Sequence, residues 1–234
     1  KVCGIHPDKG MNWKQYALAL LLTNAVMVFV GYLVLRIQFL PIFNPNGIGA
    51  MEETLSFNTI ISFMTNTNLQ HYSGESGLSY LSQMLVITYM MFVSACIAFV
   101  RGLAGKSKDN VGNFYADLVK VTTRVLIPLS IIGGMLLIWQ GVPQNFDPNV
   151  TVTTIEGTQQ DIAMGPVAAL EIIKHLGTNG GGFLGANSAT PIENPTIISN
   201  LIELYSMMLL PGACVITFGK MVRDRKRAQA EAGG

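Results

Sequence analysis

The chain has 234 residues, of which 50% are hydrophobic and only 12% are charged, and its formal net charge is +1. This balance favours a protein with several membrane spans over a soluble domain. The small net charge excludes the strongly basic face that nucleic-acid binding requires, and the three widely separated cysteines indicate neither a disulfide framework nor a zinc site.

Four apolar stretches predict membrane-spanning helices, at residues 16–35, 80–100, 121–139 and 197–219. A spanning helix needs roughly 20 mostly apolar residues, and the first two stretches meet that criterion most clearly. The third contains Pro128 and the fourth Pro211. Membrane helices tolerate proline where neighbouring groups satisfy the freed carbonyls. We therefore predict an all-α integral membrane protein.

The basic residues predict how these helices are oriented. They concentrate before the first span, between the second and third spans, and after the fourth. The two longer connections, 36–79 and 140–196, contain only Arg36 and Lys174 as basic residues and carry most of the acidic ones. The positive-inside rule then predicts that both chain ends and the middle connection are cytoplasmic, with the two long connections outside.

Each long connection carries the same order of parts. An acidic start, Glu52-Glu53 or Asp161, precedes a short apolar segment of helical character, at 51–64 or 162–176. A Thr-Asn loop follows each short helix, and a spanning helix follows each loop. The first loop consists of Thr65, Asn66, Thr67 and Asn68, and the second of Thr178, Asn179, Gly180 and Gly181. Two copies of helix, short helix, polar loop and helix indicate an internal repeat.

The repeat divides the chain into five predicted parts. These are a cytoplasmic segment 1–15, a first repeat 16–100, a cytoplasmic connection 101–120, a second repeat 121–219 and a basic cytoplasmic tail 220–234.

The short helices and their loops have the properties of a cation filter. A short helix that dips into the membrane from outside points its C-terminal end inward, and that end carries partial negative charge. Carbonyl and hydroxyl oxygens of the loop can then replace the water of a desolvated monovalent cation. The glycine-rich run 177–183 gives the backbone conformations closed to other residues. These features leave sodium, potassium and ammonium open, and the alternative is a membrane scaffold whose loops only pack.

Other motifs carry less weight. Gly180-x-Gly182-x-x-Gly185 matches a dinucleotide fingerprint, but residues 168–176 predict a helix where that motif needs a strand. We therefore expect no nucleotide site. The three histidines are not spaced as metal ligands. Glu203 lies within the fourth span, where burying an ionisable side chain in the membrane costs free energy. Its position near the outer end suggests that it reaches the membrane–water interface.

Two longer segments resemble one known family. The first is Thr65-Asn66-Thr67-Asn68-Leu69-Gln70, and the second is Gly177-Thr178-Asn179-Gly180-Gly181-Gly182-Phe183 followed by Asn187-Ser188 and Glu193-Asn194-Pro195-Thr196. Together they resemble the KdpA family, the potassium-binding subunits of bacterial Kdp potassium-transporting ATPases. The likeness extends from about residue 11 to 225. Leu69, Leu184-Gly185 and Thr190 depart from the family pattern beside the loops.

The resemblance implies a fold of four helix–pore helix–filter loop–helix repeats around one pore, of which this chain would supply two. It implies that Thr65, Asn66, Thr67 and Asn68 form one filter segment and that Thr178, Asn179, Gly180 and Gly181 form another. Gln70 and Gly182 would be filter-adjacent, and Gly180 would lie at the narrow point. Because the family is roughly twice as long, the other two repeats are expected to be absent or to come from another chain.

The resemblance also implies a function. The subunit would capture K⁺, its transported ligand, from the outer face of a bacterial inner membrane and would bind no nucleotide itself. ATP hydrolysis would reside in the P-type ATPase subunit KdpB, and the small subunits KdpC and KdpF would complete a complex embedded in membrane lipid. The alternative is a stand-alone cation channel or an ion-coupled potassium transporter of the same superfamily.

Overall fold

The computed structural model describes residues 10–67, 69–88 and 112–231. The helices are α1 (Trp13–Ile37), α2 (Glu53–Thr65), α3 (Gly74–Gly77), α4 (described over 80–88), α5 (Phe114–Val121), α6 (Ile127–Trp139), α7 (Val167–Leu176) and α8 (Ile197–Glu231). A π-helical turn, Thr122–Leu126, joins α5 to α6. The strands β1 (Val150–Thr153) and β2 (Gln159–Ile162) form an antiparallel hairpin that pairs Val150 with Ile162.

Three helices among the described residues are long and apolar enough to cross a membrane: Trp13–Ile37, Phe114–Trp139 and Ile197–Cys214. They confirm the first, third and fourth predicted spans. Of the second predicted span, residues 80–88 are helical and 89–100 lie outside the described residues. Large apolar side chains such as Phe29, Trp139 and Met208 are exposed on these helices, as suits a lipid-facing surface.

The third span begins earlier than predicted. The polar residues Thr122, Thr123 and Arg124 suggested a boundary near residue 121, but the helix starts at Phe114 and runs through them as the π-helical turn. The Asn113 side chain caps this start by accepting a hydrogen bond from the Ala116 N–H at 3.1 Å. The predicted connection 101–120 therefore ends in helix.

The first short helix, α2, lies close to its predicted position. Glu52 is its N-cap and accepts a hydrogen bond from the Leu55 N–H at 2.7 Å. Hydrogen bonds from the Thr54 hydroxyl and from the backbone N–H groups of Thr54 and Leu55 lower the pKa of Glu52 to about 2. A carboxylate at this end complements the positive pole of the helix, as the sequence predicted.

The second short helix, α7, is shorter than predicted. The expected helix began at Ile162, but residues 159–162 form β2, and Asp161 accepts a hydrogen bond from Thr151 in the hairpin. The acidic start assigned to Asp161 was therefore wrong. Pro166 is the residue immediately before α7. Because a proline disfavours helical conformation at the residue that precedes it, the helix does not extend back beyond Pro166, and α7 starts at Val167.

Helix α7 is enclosed by protein on nearly every side. Nine of its ten residues are buried, and it packs against α6 and α8. A side chain added at Gly133 of α6 would lie 2.5 Å from the Ile172 side chain, so α6 and α7 approach closely because a glycine lies between them. At ten residues, α7 is too short to span a membrane.

Polar contacts join the second long connection, 140–196, to the first, 36–79, and to the start of α4. The Tyr80 hydroxyl lies 2.7 Å from the carbonyl oxygens of both Asp147 and Met164. Asn46 and Asn149 hydrogen-bond through side chain and backbone at 2.8 to 3.1 Å. These contacts fix the two long connections relative to each other.

Candidate functional site

The first polar loop begins at the C-terminal end of α2. Asn66 has a left-handed backbone, with φ of 54°, and the Thr67 N–H donates to the Ser62 carbonyl at 3.0 Å. A left-handed residue with this backward hydrogen bond is a common way to end a helix. The Ser62 hydroxyl also donates to the Leu69 carbonyl at 2.9 Å and accepts from the Leu69 N–H at 3.2 Å. The loop thus folds back onto the last turn of α2.

The second loop ends its helix in the same way. Thr178 has φ of 68°, and the Asn179 N–H donates to the Lys174 carbonyl at 3.1 Å. The left-handed residue is therefore Thr178 here and Asn66 in the first loop. The two loops match in backbone geometry, but with a shift of one residue from the Thr-Asn alignment that the sequence indicated.

The glycine run has an irregular backbone. Positive φ angles occur at Thr178 (68°), Gly180 (70°) and Gly182 (138°), and not at Asn179 or Gly181 between them. This alternation belongs to neither helix nor strand and is readily adopted only where glycine occupies the strained positions. It allows successive carbonyl groups to face one side, as a carbonyl-lined filter requires.

The three consecutive glycines of the run, Gly180, Gly181 and Gly182, face different surroundings. A Cβ atom at Gly180 would meet no other atom within 4 Å, so this position faces open space. A Cβ atom at Gly181 would lie 2.6 Å from the Ser188 backbone nitrogen and would also collide with the Glu171 carboxylate. A Cβ atom at Gly182 would lie 2.8 Å from the Gln70 side-chain oxygen. Gly181 and Gly182 therefore pack against protein, and only Gly180 of the three faces away from it.

The structure brings together the segments that follow the two loops. The Gln70 side-chain nitrogen donates to the Leu184 carbonyl at 3.3 Å. Residues of α2 and α7, of the second loop and of the segments after both loops line one cavity of about 20 Å³: Ser62, Phe63, Leu69, Gln70, Tyr72, Lys174, Asn179 and Asn187. The side-chain oxygens of Asn66 and Gln70 are buried without a hydrogen-bond partner among the described residues. Of the predicted filter residues, Asn68 lies outside the described residues.

A cluster of buried charges lies directly behind the second loop. Its members are Glu171, Lys174 and His175 of α7, Ser188 and Glu193 of the following segment, and Glu203 of α8. His175 Nε2 lies 3.4 Å from a carboxylate oxygen of Glu171, 3.4 Å from one of Glu203, and 3.1 Å from the Ser188 hydroxyl. The Ser188 hydroxyl also donates to Glu171.

The charges of this cluster contact the backbone of the second loop. Glu171 accepts a hydrogen bond from the Gly182 N–H, and Lys174 donates to the Gly182 carbonyl, both at 3.4 Å. Glu193 accepts from the Leu184 N–H at 2.7 Å and from the Ser188 N–H at 3.1 Å. Two side chains of opposite charge thus hydrogen-bond to the N–H and the carbonyl of Gly182, and Glu193 holds the backbone that follows.

Burial and mutual charge shift the pKa values in this cluster. Burial acts to lower the pKa of His175, but its hydrogen bonds and attraction to Glu171 and Glu203 outweigh burial and raise the pKa to about 9. Burial, followed by repulsion from Glu171, raises the pKa of Glu193 to about 7. Burial lowers the pKa of Lys174. The two neighbouring carboxylates therefore favour the protonated form of His175.

This cluster was missed in the sequence. The sequence analysis found only that the three histidines are not spaced as metal ligands, and it expected Glu203 to reach the membrane interface. Instead Glu203 is only 2% exposed and faces α7, which corrects that expectation. Two signals were available: Glu171 and His175 lie four residues apart on one short helix, and an ionisable residue within a spanning helix needs a partner inside the protein.

These features define the class of protein to which the chain belongs. The chain is a mostly helical membrane protein, and two of its short helices end in adjoining polar loops, one of them glycine-rich and braced by buried charges. Residues 1–232 match the family model described as the potassium-transporting ATPase A subunit, KdpA. The chain belongs to the KdpA family.

Similar proteins carry one name, potassium-transporting ATPase potassium-binding subunit. A protein of Caldanaerobacter subterraneus subsp. tengcongensis is 54% identical over 97% of this chain and 42% of its own length. One from Clostridium acetobutylicum is 56% identical over 95% of this chain and 41% of its own. A third, from Geobacillus kaustophilus, is 53% identical over 97% and 41%. The chain thus spans about two fifths of the length of these relatives.

Proposed function

We propose that this chain is part of a potassium-binding and potassium-translocating membrane subunit that captures K⁺ from the outer face for an ATP-driven uptake complex. Thr65, Asn66, Thr67 and Asn68 form one filter segment, and Thr178, Asn179, Gly180 and Gly181 form another. Gln70 and Gly182 adjoin the filter. The observation that carries the proposal is the pair of short helices that end alike in adjoining loops, with Gly180 facing open space.

The physical argument concerns what such helix ends favour. The C-terminal end of each short helix carries the equivalent of roughly −0.5 charge, which favours a cation and disfavours an anion. Loop carbonyls and hydroxyls offer the oxygen ligands that replace the hydration shell of K⁺. The buried, unpartnered side-chain oxygens of Asn66 and Gln70 add to this oxygen-rich surface. The remaining filter segments belong to the part of the subunit that this chain does not cover.

The rest of the proposal concerns the assembly. ATP is hydrolysed by a separate subunit, KdpB, and KdpC and KdpF complete the complex, so that this chain binds K⁺ and no nucleotide. This chain lies in the bacterial inner membrane in two repeats, 16–100 and 121–219, with both of its ends cytoplasmic. The relatives' name as ATPase subunits supports this function over a stand-alone channel or an ion-coupled transporter.

The test places a side chain in the open space beside the loop. In the whole complex, Gly180→Asp should weaken the apparent K⁺ affinity, measured by K⁺-stimulated ATPase activity, by roughly tenfold or more, about 1.4 kcal/mol. The carboxylate would project into the space that the ion needs. The new Cβ atom would meet no other atom within 4 Å, and aspartate is among the residues that tolerate a left-handed backbone.

Gly157→Asp is the matched control. Gly157 also has a positive φ, 82°, and open space beside it, but it lies in the β1–β2 turn. It should leave the K⁺ affinity unchanged. If Gly180→Asp also left that affinity unchanged in a folded complex, the filter assignment would fail.

A further inference from the structure

We propose that His175 is a positioning residue for ion capture: as a buried cation between Glu171 of α7 and Glu203 of α8, it holds the glycine loop in its ion-binding shape. This inference rests on the proposed function. It assigns a role to the cluster of buried charges behind the second loop.

The first step of the argument is the geometry of the bridge. His175 Nε2 lies 3.4 Å from both carboxylates and is 3.1 Å from the Ser188 hydroxyl. Glu171 and His175 belong to the short helix, whereas Glu203 belongs to a spanning helix. His175 therefore connects the helix that ends in the glycine run to the membrane span behind it.

The second step is the charge balance. Glu171, Glu193 and Glu203 are each no more than 2% exposed, and Lys174 and His175 are the basic groups that face them among the described residues. Without the imidazolium, Glu171 and Glu203 would face each other in a site from which water is excluded. Removing one partner of a buried pair leaves an uncompensated charge, which is strongly destabilising. The carboxylates would then move apart or take up a proton.

The third step links that movement to the loop. Glu171 accepts the Gly182 N–H, and its carboxylate fills the space where a side chain of residue 181 would lie. The same carboxylate accepts from Ser188, whose backbone lies against Gly181. A displaced Glu171 therefore displaces the backbone at Gly181 and Gly182, next to the carbonyls proposed to bind the ion.

The same three residues also have the composition of a metal site. One ligand atom each from Glu171, His175 and Glu203 lie within 4.8 Å of one another. The ion-pair assignment fits better, because Glu171 already accepts hydrogen bonds from Ser188 and Gly182, and the Lys174 ammonium adds positive charge beside it. A divalent cation would compete with both. Metal binding is therefore an outcome that the experiment must detect.

The experiment is a double-mutant cycle in the whole complex. His175→Gln and Glu203→Gln each unbalance the bridge, whereas the double variant replaces a charged pair by two neutral amides that can hydrogen-bond to each other. The readouts are the apparent KM for K⁺ and the maximal ATPase rate. We expect His175→Gln to raise the KM roughly fivefold or more, Glu203→Gln to raise it less, and the double variant to return it within about twofold of the parent, with the maximal rate little changed.

Controls separate this inference from the proposed function. Glu53→Gln removes the exposed Arg36–Glu53 ion pair, whose glutamate side chain is 72% exposed, and should leave the KM unchanged. If Gly180→Asp weakens K⁺ affinity but His175→Gln does not, the inference fails and the proposed function stands. If neither variant changes the affinity, the proposed function fails.

Two further results would overturn the inference. One is a double variant whose KM for K⁺ is as high as that of the more strongly affected single variant. The other is stoichiometric zinc in the purified complex that is lost on His175→Gln. Should His175→Gln fail to assemble, recovery of assembly and KM in the double variant would support the bridge, and failure of the double variant as well would contradict it.

Discussion

The two polar loops follow helix ends of the same geometry but are stabilised by different chemistry. In the first loop, the neutral hydroxyl of Ser62 bonds both the N–H and the carbonyl of Leu69. In the second, Glu171 and Lys174 bond the N–H and the carbonyl of Gly182. The same task, satisfying the backbone N–H and carbonyl of one residue after the loop, is performed by one hydroxyl beside the first loop and by two buried charges beside the second.

The difference follows from the residues of the loops themselves. The first loop has threonine and asparagine side chains that make local contacts, such as that between the Thr65 and Thr67 hydroxyls. The three consecutive glycines of the second run, Gly180 to Gly182, have no side chains with which to hold their shape, and glycine loses more conformational freedom on ordering than any other residue. Support must therefore come from outside the run. The second loop should consequently be the more sensitive to packing and to pH.

The largest expected effect comes from adding one methyl group to the second loop. In Gly181→Ala, the new Cβ atom would meet the Ser188 backbone and the Glu171 carboxylate, which cannot easily move. We expect a loss of about 1–3 kcal/mol or more from overpacking, together with weaker K⁺ stimulation. Thermal unfolding of the complex and K⁺-stimulated ATPase activity measure both effects.

Gly180→Ala is the matched control for that variant. It adds the same methyl group one residue away, into open space, at a cost of about 1–2 kcal/mol for the left-handed backbone. If the Gly181→Ala complex unfolded at a temperature no lower than that of the parent or of Gly180→Ala, this would contradict the close packing of the second loop against the charge cluster.

A smaller effect on the stability of the complex is expected from a change in pH. His175 has a folded-state pKa of about 9 against an ordinary value of 6.5. Its stabilising contribution is therefore fully present below pH 6.5 and is lost as the pH rises through about 9. The groups that face it are Glu171 and Lys174 of α7, Glu203 of α8 and Glu193. The pKa of Glu193 is about 7 and burial lowers the pKa of Lys174, so the double variant His175→Gln, Glu203→Gln is the reference that separates the contribution of His175 from theirs.

We expect the parent complex to lose stability, on the order of 1–3 kcal/mol, between pH 7.5 and pH 9. The double variant His175→Gln, Glu203→Gln should lose much less over the same interval. Ser62→Ala, which removes the neutral support of the first loop, should cost about 1 kcal/mol at both pH values. Melting temperatures at the two pH values measure these differences, and a double variant as pH-sensitive as the parent would contradict the assignment.

The sequence predicted those features that repeat or that follow from hydropathy. The helices at residues 13–37 and 197–214 were recognisable because an apolar stretch of spanning length has few alternative structures. The short helices were recognisable because an acidic start or an apolar run precedes the same Thr-Asn pair twice. Gln70 could be placed beside the second loop only through the family resemblance.

The features that were missed depend on contacts between distant residues. The β1–β2 hairpin is stabilised by pairing across its turn, such as Thr151 with Asp161. β1 alternates valine with threonine, but β2 has no such alternation of apolar and polar residues. The bridge from His175 to Glu203 joins residues 28 positions apart. Their proximity follows from the packing of α7 against α8, which hydropathy does not encode.

The most direct test of the proposed filter is to locate the bound ion. Thallium(I), a K⁺ substitute with strong anomalous scattering, should give a peak bounded by the carbonyls of residues 65–68 and 178–181 in crystals of the whole complex, and excess K⁺ should remove it. A complex that binds thallium in competition with K⁺ but shows no peak beside these two loops would contradict the assignment.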